Sequence, residues 1–153
     1  MLETLLKKFI QQGKIRKQPA GFVQVEAFFK EALIDLDEAK KTLQVSKRGA
    51  YLLAYNSMLK CGRGLILLEG YVPDDGGQHK TVIDVCGLIL GEEFKITMRK
   101  FDIMRRKRND LTYEAGVPLS SKDAESALEE AGMLIAGIFK KVKSHNPQFE
   151  LQL

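Results

Sequence analysis

The side chains best suited to chemistry in this sequence lie in one short run, RRKRNDLTYEAG, residues 105 to 116. Four consecutive basic residues, Arg105, Arg106, Lys107 and Arg108, precede Asn109, and Tyr113 follows Arg108 by five positions. A guanidinium presents five N–H donors in a fixed fork that fits a carboxylate or a phosphate, and a tyrosine hydroxyl can donate to an anion. On a helix beginning near Glu93, the residues Phe94, Met98, Phe101, Arg105, Arg108 and Thr112 follow a rhythm of threes and fours, so the apolar stripe runs into Arg105 and Arg108. Arginines on that line need partners. Buried acids such as Asp35 or Asp84 would make them structural, and a bound polyanion would make them functional. Arg99, Arg106 and Lys107 fall off the line and are expected in solvent. Arg105, Asn109 and Tyr113 share a strip of surface at spacings of four. Arg108 and Tyr113 diverge by about 140° on a regular helix, so a site using both requires the helix to end between them or a second chain to supply one.

The elements that must position this run read as helix after helix. An amphipathic start carries Leu2, Leu5, Leu6 and Phe9 and is followed by the punctuating QGKIRKQPAG. From Phe22 to Leu43, apolar residues at Val25, Phe28, Phe29, Ala32, Leu33, Leu36, Ala39 and Leu43 mark one helix face. Ser46 then offers a cap to AYLLAYNSMLKCGRGLILLEGY, which is apolar on several sides and reads as a buried central helix. Gly62 and Gly64 inside it would allow close helix contact. YVPDDGGQ is the strongest turn signal and precedes a short helix, HKTVIDVCGLILG, and then the arginine-bearing helix. Pro118 and the capping pattern from Ser120 to Asp123 open a last helix with Ala124, Ala127, Leu128, Ala131, Leu134, Ile135, Ile138, Phe139 and Val142 on one face. No alternating strand pattern, repeat or low-complexity tract interrupts this order. The fold expected is an all-α, antiparallel up-and-down bundle of four to five main helices. It forms a single domain over residues 1–153, with an N-terminal helix and linker (1–21), the bundle (22–145) and a tail (146–153).

Composition bounds the function classes. A chain of 153 residues with 44% hydrophobic content supports one cored domain. No apolar run approaches the roughly 18 residues that a bilayer crossing needs, and MLETLLKKFIQQG is too charged for a signal-peptide core, so a cytoplasmic location without membrane attachment is expected. Cys61 and Cys86 lack CxxC spacing or a histidine cluster, which points to buried thiols rather than a disulfide or a metal site. A net charge of +4 permits a polyanion partner without requiring one. The N-terminal cluster Lys7, Lys8, Lys14, Arg16 and Lys17 lacks interleaved aromatics and reads as a solvated face. His79 follows the turn, at a helix N-terminus that disfavours its charged form. His145 falls near the tail and is expected in solvent. Phosphate-loop, dinucleotide, zinc-protease and nucleophile-elbow motifs are absent, and no cofactor is implied.

The blocks EALIDLDEAKKTL, KRGAYLLAYNSMLKCGRGLILLEGY, QHKTV and RNDLTYEAGVPLSSKDAESALEEAGMLIAGI occur in an order that resembles the HEPN superfamily (higher eukaryotes and prokaryotes nucleotide-binding domains), over about Phe28 to Phe139. The resemblance implies a bundle of four or five helices, a homodimer, and a nucleotidyltransferase protein partner in a toxin–antitoxin or defence-like module, with a nucleotide or RNA as ligand. Active members of that family cleave RNA without metal through Arg-x4-6-His. Here Arg108 and Asn109 match the start of the motif, and Tyr113 stands where histidine is expected. Tyrosine, with an ordinary pKa near about 10, is a poor base at neutral pH. The leading expectation is a binding module in which Arg105 and Arg108 contact phosphate or a partner's acids, Asn109 orients them and Tyr113 supplies a hydroxyl. One alternative is a metal-independent endoribonuclease using Arg108, Asn109 and Tyr113, with His79 as an auxiliary group. The other is a purely structural helical dimer.

Overall fold

The computed structural model describes residues 2–76 and 78–153. Among these the order is α1 (Leu2–Gln11), β1 (Ile15–Lys17), α2 (Phe22–Thr42), α3 (Lys47–Leu68), β2 (Tyr71–Pro73), α4 (Gln78–Leu90), a 3₁₀ turn (Glu92–Phe94), α5 (Lys95–Tyr113) and α6 (Ser121–His145). The all-α bundle is present, and no described helix is long and apolar enough to cross a membrane.

Local signals explain most boundaries. The Ser46 side chain accepts a hydrogen bond from the Gly49 amide at the start of α3, and Ser120 and Asp123 form the reciprocal cap of α6 at 3.0 Å in each direction. These caps satisfy N–H groups that the helix itself leaves unpaired. Helix α3 is the central one, packing on α2, α4, α5 and α6. Its glycines act as contact points. A Cβ on Gly64 would lie 2.6 Å from the Phe29 ring, and one on Gly62 would lie 2.9 Å from Val82 and 3.0 Å from the Cys86 sulfur. Both cysteines are fully buried and free, and burial pushes their thiols well above the ordinary range.

Three features depart from the sequence reading. The segments read only as linker and turn contain a two-stranded antiparallel sheet, with Ile15 opposite Pro73 and Lys17 opposite Tyr71. Strands of three residues are too short to show alternation. The sheet ties the N-terminal segment to the bundle, and Leu6 and Ile15 join its core. The extended β2 also carries the chain back, so that Tyr55 meets His79 and Gly62 meets Cys86. Those contacts run in the same order along both helices, so α4 follows the direction of α3 and the up-and-down alternation is interrupted there. Lastly, the tail is anchored: Phe149 is 2% exposed and packs edge-to-face on Phe139 and Phe29, with centroids 5.2 and 5.6 Å away.

Candidate functional site: a cationic cleft between α4 and α5

The return path through β2 sets the first turn of α4 against the C-terminal half of α5. Between them lies an open cleft of about 360 Å³, lined by Gly76, Gln78, His79, Lys80, Arg105, Arg108 and Asn109. Four of the five residues singled out from sequence, Arg105, Arg108, Asn109 and His79, therefore share one cavity. Tyr113 does not line it. Helix α5 continues through Arg108 to Tyr113, so the two side chains diverge as the helical geometry requires, and Tyr113 is 75% exposed.

The arginines find different partners from those expected. Asp35 pairs with Lys60 at 2.8 Å, and Asp84 with Lys80 at 3.1 Å. Arg105 is held by Asp102, one turn earlier on its own helix, through an Nε–Oδ1 contact of 2.8 Å. The same carboxylate also takes Arg106 at 2.9 Å and Lys80 at 3.5 Å. Three cations thus share one acid, and the surroundings stay positive. Burial alone would raise the Asp102 pKa, but the hydrogen bond from Arg105 and the charges of Lys80, Arg105 and Arg106 outweigh it and hold the carboxyl below its ordinary value. The Arg108 side chain reaches only the Asn109 carbonyl oxygen, at 3.2 Å, and no carboxylate pairs with it among the described residues. Its fork is free for an anion.

His79 is half-buried on the cleft wall, with Nδ1 3.0 Å from the Tyr55 hydroxyl. Burial first, then the charges of Arg108, Arg63 and Arg105, push its pKa below the ordinary value, so the ring is neutral at neutral pH. Tyr55 is fully buried against Phe101 and His79, and burial raises its pKa. It acts as a neutral hydroxyl. Behind Gln78, Arg63 from α3 donates to the amide oxygen at 2.9 Å.

Tyr55, Arg63, Gln78, Lys80 and Asp102 were not singled out from sequence. One signal was available for Tyr55, since a tyrosine inside an apolar helix needs a partner for its hydroxyl. Asp102 carried one too, standing three and four residues before Arg105 and Arg106 on one helix, whereas Arg63, Gln78 and Lys80 needed the α3–α4 connection. No cluster of three or more possible metal-ligating side chains occurs among the described residues. The arrangement can bind an oxyanion through two guanidiniums, an ammonium and the start of a helix, beside a neutral imidazole. No family model, no curated protein and no solved structure matches the chain.

Proposed function

We propose that the chain is a HEPN-type helical module that binds RNA or a nucleotide through phosphate, using the cleft between α4 and α5. The observation that carries this reading is the unpaired Arg108 fork beside Arg105, Lys80 and His79 in one open cavity. Arg108 and Arg105 take the phosphate oxygens, and Asn109 holds Arg108 in place. A homodimer and a nucleotidyltransferase partner, in a toxin–antitoxin or defence-like setting in the cytoplasm, belong to the same proposal through the family resemblance. Retention of total transfer RNA on a filter tests it. Wild type should bind at low salt and release the RNA steeply as salt rises, because phosphate contacts displace counterions. Equal retention by Arg108→Ala would count against the cleft.

A second reading is a metal-independent endoribonuclease, and one observation favours it: the His79 imidazole, whose pKa burial lowers, lines the same cleft as the Arg108 guanidinium. In that reading His79, rather than the solvent-facing Tyr113, handles the 2′-hydroxyl proton while Arg108 stabilises charge on the phosphate. Cleavage insensitive to chelator and abolished by His79→Gln would support it. Intact RNA after long incubation with metal-stripped protein leaves the binding reading alone.

A further inference from the structure

The phosphate-binding reading treats the cleft's charge as fixed, yet one group in its wall can change charge without moving. His79 Nδ1 faces the Tyr55 hydroxyl at 3.0 Å, and Nε2 has no hydrogen-bond partner among the described residues. A tyrosine hydroxyl both donates and accepts, so it can donate to a bare Nδ1 or accept from an Nδ1–H. The ring therefore keeps its position in either state. Once doubly protonated, it donates to Tyr55 through Nδ1–H and presents Nε2–H as a charged donor, where the neutral ring offers either an uncharged Nε2–H or a bare Nε2.

The groups around the ring decide when that happens. From α3 come Tyr55 and Arg63, from α4 Lys80, and from α5 Arg105 and Arg108. Beside them, Asp102 is already shared by Arg105, Arg106 and Lys80, Asp84 of α4 is taken by Lys80, and Asp75 of the connecting loop accepts from the Thr81 hydroxyl. Cations thus dominate around an empty cleft, and a proton on His79 is repelled. A phosphate between Arg105 and Arg108 reverses that local field.

Resting on the phosphate-binding reading, we propose that the cleft takes up phosphate esters together with a proton, which converts His79 into a further cationic contact only when ligand is present. The sign follows from linkage. A ligand that binds the protonated form more tightly raises the ring's pKa, so affinity climbs as pH falls through the window between the liganded and the free pKa. It is flat outside that window. For a single proton the climb is at most about tenfold per pH unit.

Titration calorimetry tests this with a 2′-O-methyl RNA oligonucleotide lacking terminal phosphates, which cannot be cut through a 2′-hydroxyl and does not itself titrate near neutrality. Heats measured at one pH in two buffers of different ionisation enthalpy count the protons taken up, for wild type and His79→Gln. A nucleoside monophosphate forms the second arm, read as the difference between the two proteins. Uptake of up to one proton by wild type, lost in His79→Gln together with the rise in affinity at lower pH, supports the proposal. A response to the oligonucleotide assigns the backbone as the source of phosphate, and a response to the monophosphate alone assigns a terminal phosphate. Binding that is flat across pH with no uptake overturns the proton coupling and leaves the phosphate site standing. No binding of either ligand at low salt overturns both. The His79 ring resonance, followed against pH in wild type with and without oligonucleotide, gives an answer that does not depend on the variant folding: its midpoint should move up on binding.

Discussion

Arg108→Ala separates a ligand-binding arginine from a structural one, because the structure assigns Arg108 so little to hold. Its side chain makes one hydrogen bond, to neighbouring Asn109, and it has no carboxylate partner among the described residues. Truncation should therefore lower folding stability by only about 0.5 kcal/mol, because the partly buried side chain gives up one hydrogen bond to its neighbour and no ion pair. Arg105 differs. It is mostly buried and bonded to Asp102 at 2.8 Å, so Arg105→Ala should lower stability by about 1 kcal/mol, limited because Asp102 keeps Arg106 and Lys80. On RNA the order should invert. Losing a charge-assisted contact worth about 1.5–3 kcal/mol weakens the dissociation constant roughly 10- to 100-fold, and removing one phosphate contact lowers the salt slope by about 0.7 for a single strand. Urea unfolding and fluorescence anisotropy with a labelled oligonucleotide, run on the same preparations, read both quantities. The reasoning is refuted if Arg108→Ala unfolds as readily as Arg105→Ala while its RNA affinity and salt slope match wild type.

Other consequences concern the scaffold. Gly64→Ala should destabilise by about 1–3 kcal/mol in urea, because a Cβ 2.6 Å from the Phe29 ring overrides the roughly 1 kcal/mol that alanine would add to an open helix. A neutral or stabilising result would mean that α2 and α3 are not packed this closely. Phe149→Ala should cost about 3 kcal/mol or more through the cavity it leaves among Phe22, Phe29 and Phe139, whereas a loose tail would show no change. Asp102 has a folded-state pKa below its unfolded value, so its contribution is present above about pH 4 and is lost as pH falls through the folded pKa. Asp102→Asn should flatten that acid limb of stability, and an unchanged limb would rule Asp102 out as its source.

The helices were legible because each buries a broad face, and the α6 cap because Ser120 and Asp123 announce it. The strands were not, since three residues carry no period and the pairing of Ile15–Lys17 with Tyr71–Pro73 joins segments far apart in sequence. That same pairing belongs to the path that carries α4 along α3, which is why His79 could be named from sequence as a helix-start histidine and an auxiliary to Arg108, while its position beside the arginines could not be read there. Periodicity found the inward face of α5 at Met98 and Phe101, but it missed the buried Met104 and Leu111, set the exposed Thr112 on that line, and erred on the partners of the arginines. Asp102 lies on the same helix as Arg105, a local pair that needs no buried acid from a neighbour. The position of Tyr113 followed from helix geometry once α5 was seen to run through it.

The most direct test of the central claim is to map amide shifts in the two-dimensional nitrogen–proton spectrum as the 2′-O-methyl oligonucleotide is added. The account predicts changes concentrated at Gln78, His79, Lys80, Arg105, Arg108 and Asn109, with Tyr113 and the N-terminal lysines Lys7, Lys8 and Lys14 left in place. Shifts centred on those lysines, or none anywhere at low salt, would contradict it.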